Sequence, residues 1–211
     1  MEEKLSLNSS LYAEATPAGA YFAVASSSSD SARKLLAHVL KEGALAPLTG
    51  PKLLEWAGAD SLGQSLQLLY RLQRLQFLQG TNVPRNSPEG NLESILPGLL
   101  GKISDTGRAL LADSNGFYIA CAGFRHESAE EIAALAGDVL ALGDRHALLL
   151  QRNLNIKSSA WAIADPAGRS ELGFYPLYIG EQTFMLVLGG TPLIQSEDFV
   201  VLIESLSRRY T

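Results

Sequence analysis

The side chains that could do chemistry are few and dispersed. Asp113 is the most tempting carboxylate, but it stands in Asp113-Ser114-Asn115-Gly116 between two apolar runs. Asn and Gly tolerate the positive φ of a tight hairpin turn, and an aspartate there bonds to the turn backbone, so a structural role outweighs a catalytic one. Ala59-Asp60-Ser61-Leu62-Gly63 has the serine of a nucleophile elbow, but it lacks the first glycine and a preceding strand. Helix capping by Asp60 or Ser61 explains it better. His38, His126 and His146 show no His-x3-His or carboxylate-paired spacing of the kind metals need. Cys121 is the only cysteine and lies in Tyr118-Ile119-Ala120-Cys121-Ala122, which reads as a buried, inert thiol with no disulfide partner in the chain. Neither a phosphate loop nor a Gly-x-Gly-x-x-Gly is present. No catalytic, cofactor-binding or metal-binding residue is assigned, and the expectation is a protein that is not an enzyme.

Composition bounds the rest. The chain has 211 residues, 46% of them hydrophobic and 18% charged, an ordinary globular balance with enough material for a core. Uninterrupted apolar runs such as Ala147–Leu150 and Phe184–Leu188 fall far short of the roughly 20 residues of a spanning helix. Met1-Glu2-Glu3-Lys4 lacks the basic start of a secretory signal, so a cytoplasmic protein without membrane insertion is expected. Residues 1–90 carry eight basic and eight acidic residues, whereas 91–211 carry nine basic and fourteen acidic, which accounts for the net charge of −5. A broad basic nucleic-acid surface does not fit that balance.

The elements that position these residues follow from periodicity and caps. Residues 1–19 read as an N-terminal arm and Tyr21–Ala25 as a short strand. Asp30 or Ser31 caps a helix through Leu35, Leu36, Val39 and Leu40. A second helix spans about Gly50 to Trp56, with Pro51 in its first turn, and a third carries Leu62, Leu66, Leu69, Leu72 and Leu75. Residues 20–82 thus form a small helical domain, 83–90 a linker rich in Pro, Ser, Gly and Asn, and 91–211 a second domain. In that domain Asn91 caps a helix containing Pro97, and strands Ala109–Ala112 and Phe117–Ala122 flank the turn. Ser128-Ala129-Glu130-Glu131 fits a capping box that opens a helix through Ile132, Leu135, Ala136 and Val139 to about Leu142. Arg145–Asn155 is ambiguous between helix and strand. Strands Ser159–Ala164, Glu171–Ile179 and Thr183–Gly189 follow, then a helix opened by Ser196 or Glu197.

This order, with Leu111-Ala112-Asp113-Ser114-Asn115-Gly116-Phe117-Tyr118-Ile119-Ala120, Gly123-Phe124 and Ile132–Ala136, resembles the roadblock (dynein light-chain-like) domain, also found in bacterial regulators of small Ras-like GTPases. The resemblance covers residues 91–211. It implies an α/β (α+β) fold with a five-stranded antiparallel sheet, one helix on one face and the two terminal helices on the other. It also implies a homodimer through that helix and the strand after it, on Ile132, Leu135, Ala136, Val139, Trp161 and Ile163, with a small Ras-like GTPase or another signalling partner bound there. The long Arg145–Asn155 segment departs from the pattern.

Two alternatives stand beside it. Lys41-Glu42-Gly43 to Gln79-Gly80-Thr81 resembles a winged-helix unit, which implies a DNA-binding regulator with Arg71 and Arg74 as its contacts; a helical protein-interaction module is the plainer reading. Tyr175–Glu181 with Phe184–Leu188, and then Gln195–Phe199, looks like the end of a GAF domain, which implies a small-ligand sensor with an enclosed pocket over the sheet.

Overall fold

Alternation along three central strands organises the molecule. In the computed structural model, residues 5–86 and 90–211 are described; residues 1–4 of the expected arm and 87–89 of the expected linker lie outside them. Strands β3 (Ala109–Asp113), β4 (Tyr118–Ala122), β5 (Trp161–Ala164), β6 (Ser170–Ile179) and β7 (Gln182–Gly189) form an antiparallel sheet in the order β4-β3-β7-β6-β5. β3 and β7 are sealed on both faces: Leu110, Ala112, Met185 and Val187 turn to one side, and Ala109, Leu111, Leu186 and Leu188 to the other, all with no exposed surface.

The first face is covered by α6 (His126–Arg145), whose Ala129, Ala133, Ala136 and Leu140 meet Leu110, Ala112, Phe174, Met185 and Val187. The second carries α5 (Leu92–Leu100) and α7 (Glu197–Tyr210). Asn91 caps α5 by accepting the Ser94 amide at 3.0 Å, and Ser196 caps α7 through the Phe199 amide at 3.3 Å. This is the expected α+β architecture: a five-stranded antiparallel sheet with one helix on one face and the two terminal helices on the other.

The N-terminal half is built onto the second face. Its elements are β1 (Tyr12–Ala15), α1 (Pro17–Val24), α2 (Ser31–Glu42), α3 (Gly50–Ala57), α4 (Leu62–Arg74) and β2 (Leu78–Thr81). Helices α1 and α2 lie against α7, and Leu36, Val39 and Trp56 share one buried cluster with Leu99, Ile103, Leu186 and Phe199.

Several local expectations are corrected. The segment read as an arm contains β1 and the start of α1, and Tyr21–Ala25 is helix rather than strand through Val24. Pro17 occupies the first helical turn, and the Thr16 hydroxyl caps it by accepting the Gly19 amide at 3.1 Å. The capping box at Ser128 is not formed. α6 begins three residues earlier, with Arg125 at its N-cap in extended conformation, so Ser128 and Glu131 lie inside the helix. Arg145–Asn155 comprises the end of α6 and a π-helical turn, Leu148–Asn153. The leucine stripe of α4 is buried at Leu69 and Leu72 but exposed at both ends, Leu62 and Leu75. β2 pairs antiparallel with β1, ahead of the helices, and no wing hairpin follows α4 among the described residues.

The expected linker is also tied to both halves. Arg85, with 12% of its side chain exposed, reaches Glu204 at 2.6 Å and Glu197 at 2.8 Å on α7 and Glu14 at 3.6 Å on β1. Burial opposes the guanidinium's charge, but Glu204, Glu197 and Glu14 raise its pKa. Burial likewise pushes the Glu204 carboxyl up, in spite of Arg85. A carboxyl with a raised folded-state pKa favours folding below its unfolded value of about 4.3 and loses that contribution as pH rises through the folded value. Arg85→Met leaves the buried Glu14 and Glu204 without this cation. Urea unfolding should show a loss of about 3 kcal/mol at pH 7 that shrinks toward pH 5 as the Glu204 carboxyl takes up its proton; a loss that grows on acidification contradicts this account.

Candidate interaction surface

Where α6 ends its cover of the sheet, an apolar seam begins. Ile132, Leu135, Val139 and Leu142 recur at the three-four spacing that lines one flank of a helix. Ile132 and Val139 are half-buried, while Leu135 and Leu142 are 41% and 37% exposed. Beside this flank lies β5, which among the described residues pairs with β6 alone: Trp161 stands opposite Phe174 and Ile163 opposite Leu172. Trp161 is half-buried and Ile163 is 50% exposed. The outer edge of β5 carries no charge and no proline in Trp161-Ala162-Ile163-Ala164, the devices that ordinarily protect an open edge.

Of the six residues expected at an interface, five therefore lie on this face. Ala136 does not: it has no exposed surface and packs under α6 onto the sheet, because the helical period turns it inward with Ala129, Ala133 and Leu140. Leu142 and the solvent-facing Leu148, Leu149, Leu154 and Ile156 were not singled out from sequence. Their excess exposure, rather than their type, distinguishes them.

At the α6 N-terminal end the seam opens into a cleft of about 580 Å³, floored by Phe124, Ile132, Ile163 and Leu172. Its rim is ionic. Asp165 accepts the Arg169 amide at 3.0 Å and the Ala167 amide at 2.8 Å, and these bonds, the Arg169 amide foremost, hold its carboxyl below the usual range. The Thr191 hydroxyl and amide do the same for Asp105. An apolar floor with a charged rim suits a protein contact.

The hairpin turn anchors α6. Asp113 Oδ1 accepts the amides of Asn115 at 2.9 Å and Phe117 at 3.0 Å, so this carboxylate closes the turn. Gly116 takes φ of 84° and approaches Gly137 so closely that a Cβ on Gly137 would lie 3.3 Å from the Gly116 Cα. The other candidates for chemistry have structural partners: Ser61 caps α4 through the Gln64 amide at 3.3 Å, and His38 stacks on Trp56 with centroids 5.8 Å apart. His126 receives or donates a 2.5 Å bond with the Tyr118 hydroxyl. Cys121 is half-buried on the α6 side of the sheet. Arg71 and Arg74 are exposed at the end of α4, with Arg74 lying 5.9 Å from the Tyr70 ring centroid. Among the described residues no three His, Cys, Asp or Glu side chains converge on a metal position, and no helix is long and apolar enough to cross a membrane.

The space between α6 and the sheet is closed, since the side chains on both walls are buried. The enclosed chamber that a ligand sensor needs over the sheet is filled by Ala129, Ala133 and Ala136 against Leu110, Met185 and Val187.

No protein-family model matches the sequence, and no curated protein matches it. Two solved structures are similar to this chain. One is a Roadblock/LC7 domain from Streptomyces avermitilis, at 17% identity and a TM-score of 0.38, covering 55% of this chain and 94% of that one. The other is Myxococcus xanthus MglB, at 12% identity and a TM-score of 0.36, covering 59% of this chain and 94% of that one.

The glycine contact at the turn generates a test. Gly137→Val forces α6 off the hairpin and should cost about 1–3 kcal/mol in urea unfolding. Gly98→Ala, in α5 with nothing near its added Cβ, should instead gain up to about 1 kcal/mol. Equal effects of the two would show that the approach of Gly116 to Gly137 does not matter.

Proposed function

We propose that this protein is a non-catalytic regulatory adaptor that forms a homodimer through the α6 flank and the edge of β5, and that the dimer engages a small Ras-like GTPase on the surface so formed. The observation that carries the reading is the coincidence of a half-exposed apolar seam with an unprotected edge strand. Each feature alone is ordinary. Together they offer main-chain hydrogen bonds and an apolar contact to the same partner, the combination that strand addition uses. A twofold axis satisfies both at once, because a self-complementary surface needs only a second copy of itself. The GTPase partner rests on the roadblock resemblance of residues 91–211. The dispersed histidines, the capping serine and the turn-closing aspartate support a non-catalytic role.

Sedimentation velocity at micromolar concentration tests the dimer. Wild type should sediment as a dimer, and Ile163→Lys or Leu135→Lys, both at exposed positions, should sediment as monomers with unchanged circular dichroism. A wild-type monomer, or variants that stay dimeric, would overturn it. For the partner, a Ras-like GTPase from the same cell, loaded with GDP or a non-hydrolysable GTP analogue, should co-sediment with the dimer in one nucleotide state; co-sedimentation in neither removes the GTPase.

A further inference from the structure

Beyond α6 the chain does something the roadblock resemblance does not account for. The segment 146–158 runs along the outside of the molecule and presents Leu148 at 67% exposure, Leu149 at 45%, Leu154 at 57% and Ile156 at 43%. It is not a slack loop. The Leu154 amide donates to Leu149 O at 3.0 Å and the Ile156 amide to Leu150 O at 2.9 Å, which closes the segment on itself around the π-helical turn. Four large apolar side chains are thus held outward on a preformed support.

Charge says what covers them. From Glu127 to Asp144 the chain has five acidic residues and no Lys or Arg; from Arg145 to Ala164 it has three Lys and Arg and no acidic residue. The helix dipole explains part of this, since acid at the start and Arg145 at the end of α6 suit its field. Arg152 likewise stands in the last turn of the π-helical segment, but the field fades beyond it and gives no reason for Lys157. The apolar seam that continues into this segment meets its own kind when a second copy is placed antiparallel across a twofold axis. The end of one α6 then lies beside the start of the other, and the cationic segment of one copy beside Glu127 and Glu131 of its mate.

We propose that residues 146–158 form a clasp that grips the N-terminal half of α6 in a second copy of this chain, with Leu148, Leu149, Leu154 and Ile156 against its apolar flank and Arg152 and Lys157 against Glu127 and Glu131. The clasp extends the α6–β5 homodimer proposed above and rests on that reading. It makes the dimer charge-matched as well as apolar, which fixes the antiparallel pairing and rejects unlike seams.

Two double variants at exposed positions test it: Arg152→Glu with Lys157→Glu, and Glu127→Lys with Glu131→Lys. Each alone places like charges across the pair and should weaken the dimer Kd by about tenfold or more at low salt. Mixed one to one, both contacts of the heterodimer become attractive, and affinity should return to near the wild-type value. Raising the salt should shrink the difference. Circular dichroism of each variant confirms that both fold. If the separate variants dimerise as wild type does, or the mixture restores nothing, the clasp is overturned while the α6–β5 dimer stands. A wild-type chain that is monomeric removes both. Retention of the clasp on anionic vesicles or on an acidic partner, with unchanged dimer affinity, would likewise overturn it.

Discussion

One helix cannot cover five strands. Four strand spacings make a sheet about 19 Å across, and a helix with its side chains is about 10 Å wide. On the second face this is solved within the chain by α5, α7 and the helices of the N-terminal half. On the first face only α6 is available, and it settles over β3 and its neighbours. Its inner surface is made of alanines, which bring it close and seal Leu110, Met185 and Val187. The same closeness confines it, so β5 is left with Ala162, Ile163 and Ala164 exposed. The half-exposed Ile132, Leu135, Val139 and Leu142 border this uncovered strip, and every interface reading follows from that shortfall.

The second face shows how tightly the two halves are joined. Arg85 binds carboxylates from β1 and from α7, and Leu36, Trp56, Leu99 and Phe199 lie in one continuous core. The N-terminal half is therefore not an independent bead. Its removal would expose the apolar surface of α7 and take Glu14 from Arg85. A displacement of α7 would be felt at β1 through Arg85.

Much of this was legible in the sequence where the signal is local. Asn91, Ser196 and the Asp113–Gly116 turn act within four residues of themselves, and they stand where their types require. The five strands of the large sheet fell in place within about two residues, whereas Tyr21–Ala25, read as a strand, is helix through Val24. What was missed depends on partners distant in the chain. Pro17-Ala18-Gly19 is uninformative until Thr16 is seen to cap the helix and bond Gln76 O at 2.6 Å. Residues 83–86 read as linker because nothing nearby announces that Arg85 meets Glu204. Ala136 was assigned outward because apolar type was taken for exposure, whereas an alanine on a helix above a sheet is the residue that permits contact. The clasp was ambiguous because a π-helical turn has neither the 3.6 nor the 2.0 period.

The central claim is that a second copy completes the sheet at β5. Hydrogen–deuterium exchange of the full chain, read at Trp161–Ala164 at nanomolar and at tens of micromolar concentration, tests it most directly. The account predicts that these edge amides exchange slowly at the higher concentration and freely on dilution, while β3 and β7 stay protected throughout. Amides in β5 that exchange equally fast at both concentrations would contradict it.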